Sequence, residues 1–170
     1  MISFKEENMC KLKKLSLKDL PKIIDVYNEI KLKTNTVWED DYPSVELIKW
    51  DIDRKGLYAL VTKQNEIVAI AYAGKRNEED DSCCEWKLDI KNRATFARFG
   101  VNPKFQRQGY GRKMLVEIFD MLKRQGFDGV RILVEPLNLN AIGLYKKMNF
   151  KNSGIAHKNG KDYIMLEKFL

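Results

Sequence analysis

The sequence predicts an α/β fold in which about four helices flank a mixed sheet of six to seven strands. Apolar runs of strand length alternate along the chain with stretches whose apolar residues recur at helical spacing. Near the end, Asn159-Gly160 separates two β-rich runs, and Asn-Gly is a strong signal for a tight hairpin. Helical connections join parallel strands and hairpins join antiparallel strands, so both kinds of pairing are expected.

The composition is that of a globular protein without a membrane span. With 170 residues and 44% hydrophobic content, residues 1–170 are expected to form a single domain. The N-terminus is too charged for a secretory signal, and no apolar run approaches the ~20 residues of a membrane helix. We therefore expect a cytoplasmic protein with no membrane partner.

Charge and metal-binding residue types narrow the function further. The net charge of +7 suits an anionic cofactor, an acidic substrate or nucleic acid, but the basic residues are dispersed, so we expect a solvated surface and no nucleic-acid partner. The three cysteines are Cys10, Cys83 and Cys84. Their spacing fits no zinc pattern, so we expect reduced thiols and no bound metal. His157, the one histidine, has no neighbours in sequence that support catalysis.

The first elements follow from alternation and a helix cap. Residues 9–15 alternate weakly and predict a first strand. Ser16, with Asp19 three residues later, resembles a capping box and predicts the start of a helix over residues 17–33.

Residues 34–43 predict a loop between helices. Trp38 in this loop precedes three carboxylates, and it either lines a substrate mouth or is the partly buried side chain of a tethered loop. Ser44 predicts the cap of a second helix, which Gly56 would end. Two β-rich runs follow, at residues 57–62 and 67–74. The second run is continuously apolar, as in a buried central strand.

Residues 78–81 are four consecutive carboxylates. They lack the interleaved oxygen ligands of a calcium loop, so we expect a solvated turn. Residues 83–93 either extend a hairpin or form the rim of an acceptor site. Strand, helix and strand then follow over residues 95–101, 111–125 and 130–134, which predicts a parallel pair with a right-handed crossover. A short helix over residues 140–148 and strands over residues 150–157 and 162–169 complete the chain.

Residues 96–113 join a strand, a glycine-containing turn and a helix start, an order that suits an anion. The first amides of a helix lack internal partners and lie at the positive end of its dipole, where a phosphate fits. Gly109 and Gly111 allow close approach of a ligand, and Arg107 and Arg112 add positive charge. The segment matches neither the phosphate loop nor the dinucleotide fingerprint, because their other glycines and the Lys-Ser/Thr pair are missing.

The motif Gln-Arg-Gln-Gly-Tyr-Gly at residues 106–111 resembles the acyl-CoA-binding loop, Q/R-x-x-G-x-G/A, of the GCN5-related N-acetyltransferase (GNAT) family. In that family the loop follows a strand ending in V-x-P, as Val101 and Pro103 do here.

A second motif strengthens the resemblance. Residues 138–150 are similar to the family pattern N-x-x-A-I-x-L-Y-x-x-x-G-F, with Asn149 where glycine is usual. Both residue types adopt left-handed backbone at helix ends, so the departure is mild. The resemblance covers roughly residues 9–170 and is weakest over residues 77–93.

The resemblance implies a GNAT-like fold in which two parallel strands, here ending at Val101 and Val134, splay apart at the cofactor. It implies an acyl-CoA N-acyltransferase that transfers acetyl from acetyl-CoA to a primary amine by direct attack within a ternary complex. The alternative is a CoA-binding sensor or scaffold that does not catalyse. The acceptor, a small molecule or a protein amine, and a homodimeric state are left open.

The resemblance also implies which residues act. The cofactor-binding residues would be Phe99, Gly100, Val101, Gln106, Arg107, Gln108, Gly109, Tyr110, Gly111, Arg112, Asn138 and Tyr145. Tyr145 would also be the general acid that protonates the leaving thiolate. The strand before the loop lacks the Glu that many relatives carry there. The weak candidates for the base are Glu135, Glu85 and Glu39, and a water chain is the alternative.

Overall fold

The structure, a computed structural model, describes residues 10–34 and 36–170. Within these ranges a seven-stranded sheet has the order β1-β2-β3-β4-β5-β7-β6. Its strands are β1 (Lys11–Lys14), β2 (Leu57–Val61), β3 (Ile67–Lys75), β4 (Arg93–Val101), β5 (Gly129–Val134), β6 (Lys151–Lys158) and β7 (Lys161–Phe169). The α-helices of the same ranges are α1 (Leu20–Lys33), α2 (Val45–Asp53), α3 (Tyr110–Arg124) and α4 (Leu139–Lys147). β4 pairs with β5 in parallel, whereas the pairs β1–β2, β2–β3, β5–β7 and β6–β7 are antiparallel, so the predicted mixed sheet is confirmed.

The chain divides into two compact units. The first contains the described residues up to Ala73 together with Arg98–Ile118, and the second contains Gly74–Ala97 and Phe119–Leu170. Strands β3 and β4 and helix α3 therefore contribute residues to both units. The single-domain organisation stays a prediction.

Side-chain caps set the helix starts of the first unit. The Asp19 carboxylate accepts hydrogen bonds from the backbone N–H of Ser16 at 2.9 Å and from its hydroxyl at 3.1 Å. A single 3₁₀ turn, Leu17–Asp19, then leads into α1. The Ser44 hydroxyl accepts from the backbone N–H of Leu47 at 3.1 Å and caps α2. Both predicted caps are confirmed: Asp19 accepts from the N–H of Ser16 as in a capping box, and the Ser44 oxygen satisfies an amide that the first turn of α2 leaves without a partner.

Gly56 takes part in the end of α2, because its backbone N–H donates to the carbonyl oxygen of Asp51 at 3.1 Å, but it is not the left-handed residue of the cap. The helix ends at Asp53, and the left-handed residue that follows is Lys55, with φ of 56°. A Cβ at Gly56 would lie 2.3 Å from Cε2 of Tyr72 and 3.0 Å from the carbonyl oxygen of Ala73. Glycine is required there for close packing against β3, which a local capping rule does not detect.

The second unit ends in the predicted hairpin. Asn159 and Gly160, between β6 and β7, have φ of 52° and 73°. Two successive positive φ values are characteristic of a type I′ turn, the turn that Asn-Gly favours. The turn prediction is therefore confirmed.

The acidic stretch at residues 78–81 is a solvated turn only in part: residues 78–79 are exposed as predicted, whereas the side chain of Asp81 is 12% exposed. The Asp81 carboxylate accepts hydrogen bonds from Nε of Arg76 at 2.5 Å and from Nε1 of Trp86 at 2.9 Å. It also lies 2.8 Å from Nε of Arg93 and 3.4 Å from Nη1 of Arg131. Arg93 and Arg131 lie on β4 and β5, and Arg76 directly follows β3, so a local composition argument could not anticipate this buried network.

Residues 83–92 form neither helix nor strand, so the hairpin-extension interpretation is wrong. The segment is attached to β7 instead, since the backbone N–H groups of Lys87 and Leu88 both donate to the Glu167 carboxylate. No helix in residues 10–34 and 36–170 combines the length and apolarity that crossing a membrane requires.

Candidate active site

The turn between β4 and α3 contains two residues with left-handed backbone. After Val101 a 3₁₀ turn, Pro103–Phe105, leads into the turn, and α3 begins at Tyr110. Arg107 has φ of 61° and Gly109 has φ of 83°. Such turns can direct successive amides into one anion-binding concavity, and the first amides of the helix that follows lack intrahelical partners. The backbone therefore suits the anion site that the sequence predicts.

Two glutamine side chains stabilise this turn. Nε2 of Gln106 donates to the carbonyl oxygen of Val101 at 3.2 Å, and Nε2 of Gln108 donates to that of Lys104 at 3.3 Å. Both bonds connect the turn to the chain that leaves β4. The glutamines therefore support the loop conformation, a role that the sequence motif did not reveal.

The surroundings of the turn are positively charged. Residues 103–116 contain Lys104, Arg107, Arg112 and Lys113 and no carboxylate. Lys104 lies 3.4 Å from the Glu66 carboxylate, whereas Arg107 and Arg112 are exposed. An exposed group of cations beside helix amides attracts a phosphorylated ligand.

β4 and β5 pair only at their first residues. The register joins Arg93 to Gly129 and Ala94 to Val130, although β4 continues to Val101. The parallel pairing itself is therefore confirmed, and the splay of the strands at the cofactor stays a prediction.

Trp38 packs beside the end of β4. Its ring makes edge contacts with Tyr27 and Tyr42, with centroid distances of 5.7 Å and 6.0 Å. A Cβ at Gly100 would lie 3.3 Å from Cη2 of Trp38 and 2.7 Å from Cδ1 of Ile30. Trp38 is therefore a partly buried residue of a tethered loop, and it touches a residue of the predicted cofactor strand. Its role at a substrate mouth stays a prediction.

Asp51 and Arg98 form an ion pair that sequence reasoning missed. The Arg98 guanidinium donates two hydrogen bonds, of 2.6 Å and 2.7 Å, to the carboxylate of Asp51, which is fully buried on α2. Burial raises the pKa of Asp51, and the neighbouring guanidinium opposes that rise. The sequence contained one sign of a buried carboxylate, because Asp51 lies on the same helical face as the apolar residues Ile48 and Ile52.

Tyr145 lies on α4 in a buried aromatic cluster. Its ring centroid is 5.5 Å from that of Phe96 and 5.5 Å from that of Phe150. Burial raises the pKa of the Tyr145 hydroxyl, which therefore stays protonated at neutral pH. The side chain is both a core aromatic and a potential proton donor, and its acid role stays a prediction.

Asn138 caps α4. Its side-chain oxygen accepts a hydrogen bond from the backbone N–H of Ala141 at 3.3 Å. At the other end of the helix Asn149 has φ of 62°, which confirms that it takes the left-handed conformation expected of the usual glycine. The cap uses the side-chain oxygen of Asn138. The predicted contact with the cofactor would therefore be made by the side-chain N–H groups of Asn138.

A model of the acetyltransferase (GNAT) family matches residues 23–150. The chain belongs to this family. The acetyltransferase is 24% identical over 159 residues to spermidine N(1)-acetyltransferase of Thermoplasma acidophilum, an alignment that covers 93% of the chain and 96% of the relative.

Solved structures share the fold of this acetyltransferase. A GNAT-family acetyltransferase of Streptococcus agalactiae has a TM-score of 0.80 at 17% identity, with 96% of each chain covered. The PaiA N-acetyltransferase of Thermoplasma acidophilum, solved in complex with coenzyme A, has a TM-score of 0.69 at 20% identity and covers 95% of this chain and 99% of its own. These likenesses confirm the predicted fold class.

The structure does not favour any one of the three predicted carboxylates as the base. Glu39 and Glu85 are exposed, and Glu135, just after β5, is half-buried. Each is accessible to water, so burial does not select one of them. The base stays a prediction without an assigned residue.

Proposed function

We propose that this acetyltransferase transfers an acetyl group from acetyl-CoA to a primary amine, which attacks directly within a ternary complex. The observation that carries the proposal is the turn with left-handed Arg107 and Gly109 that leads into α3. The similar structure solved in complex with coenzyme A supports coenzyme A as a ligand of this fold.

The residues present suit a CoA thioester. The pyrophosphate would be held by the amides of residues 106–112 and the neighbouring cations. Backbone groups of Phe99 and Val101 would hydrogen-bond the pantetheine arm as an added strand does, and the Asn138 amide would contact the same arm. When bound, acetyl-CoA supplies an activated acyl group and a thiolate leaving group.

The pKa of Tyr145, compared with that of a thiol, limits the role that the tyrosine hydroxyl can have in catalysis. A thiol ionises near pKa ~8.5 and an unperturbed tyrosine near pKa ~10. Because burial raises the pKa of Tyr145, complete transfer of its proton to a thiolate is uphill. We therefore assign Tyr145 to hydrogen-bond donation as charge develops on sulfur, with proton transfer coupled to deprotonation of the amine.

A polyamine is the acceptor that the comparisons support best. The relative aligned over 93% of the chain is named spermidine N(1)-acetyltransferase. Trp38 is followed by the exposed carboxylates of Glu39, Asp40 and Asp41, and clustered negative charge attracts a polycation.

An amine panel tests the proposal. Purified chain is incubated with acetyl-CoA and spermidine, spermine, single amino acids, a lysine peptide or a peptide with a free N-terminal alanine, and CoA release is measured. We expect release with at least one primary amine, and fastest with a polyamine. Tight CoA binding without acyl transfer to any amine would instead indicate the sensor or scaffold function.

Gly109→Ala is expected to weaken CoA binding by about 10-fold, because a Cβ stands between the turn and the phosphates and left-handed alanine is strained. Gly126→Ala is a matched control: its φ is 88°, against 83° at Gly109, and a Cβ at either position meets no atom within 4 Å. Calorimetry should show weaker CoA binding only for Gly109→Ala, while both variants lose similar stability. Equal CoA affinity of the two variants would contradict the assignment of the turn.

Two substitutions at Asn138 separate its cap from its predicted cofactor contact. Asn138→Ala should lose about 1 kcal/mol of stability through the missing cap. Asn138→Ser keeps a good cap, so its stability should change by less than about 0.5 kcal/mol. Both should bind CoA about 5- to 10-fold more weakly because the amide hydrogen bond is gone. Unchanged CoA affinity in Asn138→Ser would show that Asn138 is only a cap.

A further inference from the structure

Arg98 interrupts β4 with a left-handed residue. Its φ is 51°, although it lies inside the strand Arg93–Val101. A non-glycine residue in this region is strained and persists only when its surroundings impose it. Such irregularities in strands redirect the backbone that follows, and they are common beside active sites. The residues that follow are Phe99, Gly100 and Val101.

Three elements of the first unit impose this conformation. From α2, the Asp51 carboxylate receives both guanidinium hydrogen bonds, at 2.6 Å and 2.7 Å. From α1, the hydroxyl of buried Tyr27 donates to the carbonyl oxygen of Arg98 at 3.1 Å. From β3, the Tyr72 ring lies 5.0 Å from the guanidinium carbon. Side chain and backbone of Arg98 are therefore both constrained.

A purely structural ion pair would not need the left-handed backbone. An arginine in regular strand conformation can pair with a buried carboxylate, and burying such a pair is a poor route to stability by itself. The pair here coincides with backbone strain directly before the strand segment assigned to the pantetheine arm. Strain at such a place is a form of pre-organisation for a ligand.

We propose that Asp51, Arg98 and Tyr27 are positioning residues that hold β4 in its left-handed bend, and that binding of the CoA thioester by Phe99–Val101 depends on this bend. The inference rests on the proposed function. It assigns to α1 and α2 a role in cofactor binding, although their side chains act only through the β4 backbone.

The experiment separates the backbone conformation from the ion pair. Two double variants remove the ion pair: Asp51→Asn/Arg98→Gly and Asp51→Asn/Arg98→Ala. They differ from each other by one methyl group. Glycine adopts φ near 51° without strain, whereas alanine does not. CoA affinity is measured by calorimetry at a temperature where thermal unfolding curves show both variants folded. We expect the glycine variant to bind within about 3-fold of the unaltered chain and the alanine variant at least about 10-fold more weakly.

Equal CoA affinity of the two double variants overturns the inference, even if both are less stable than the unaltered chain. Failure of the unaltered chain to bind CoA overturns the proposed function and this inference with it. If either double variant does not fold, Tyr27→Phe decides, since it removes only the hydroxyl that contacts Arg98. An increase in the CoA Kd of about 3-fold or more supports the inference, and an unchanged Kd overturns it.

Discussion

Tyr145→Phe should lower kcat by about 100- to 1000-fold while CoA affinity stays within about 3-fold. The substitution removes only the hydroxyl, so the aromatic packing with Phe96 and Phe150 is retained. The group lost is a donor that burial keeps protonated. In the proposed mechanism its hydrogen bond is needed only as charge develops on the leaving sulfur. Steady-state CoA release with a saturating amine gives kcat, and calorimetry gives the CoA Kd.

Tyr163→Phe on β7 is the control for loss of a tyrosine hydroxyl. Tyr163 lies on the β6–β7 hairpin opposite Ala156, and it has no assigned role in binding or chemistry. We expect its kcat to match that of the unaltered chain. An unchanged kcat in Tyr145→Phe, across the amines that are substrates, would show that Tyr145 is only a core aromatic.

Glu167→Gln should reduce the free energy of unfolding by about 3–5 kcal/mol, the range for removing one partner of a buried ion pair. Glu167 is fully buried on β7. Its carboxylate accepts from the backbone N–H groups of Lys87 at 2.7 Å and Leu88 at 2.8 Å and from the Ser153 hydroxyl. The opposite residue on β5, Arg131, has its Nε 3.4 Å away. A neutral amide presents an N–H group to these donors and leaves the guanidinium less compensated.

Asp162→Asn is the matched surface control, made on the same strand. The Asp162 carboxylate contacts His157, and both side chains are largely exposed. Water screens such a pair, so we expect a loss below about 1 kcal/mol. Urea unfolding of both variants measures the difference. Similar small losses in the two variants would mean that Glu167 is not essential for holding residues 83–92 to the sheet.

Local sequence patterns predicted the structure correctly where a short segment determines its own conformation. The caps at Ser16 and Ser44 and the Asn159-Gly160 turn were all predicted, because each depends on a few adjacent residues. The predictions at Gly56 and Asp81 were incomplete for the opposite reason, because the contacts that matter there come from distant parts of the chain. Gly56 is needed because Tyr72 packs against it, and Asp81 is surrounded by three arginines that are distant from one another along the chain.

In the candidate site too, some features follow from local sequence and others depend on contacts between distant residues. The amino-acid sequence alone was enough to predict the family, because the motifs at residues 106–111 and 138–150 resemble the two family motifs, and the family model over residues 23–150 confirms that prediction. Only the tertiary structure decided how β4 is shaped. The left-handed residue Arg98 is hydrogen-bonded to Asp51 and Tyr27, which are 47 and 71 residues away along the chain. No local pattern encodes such contacts, since they form only when separate helices pack against the same strand.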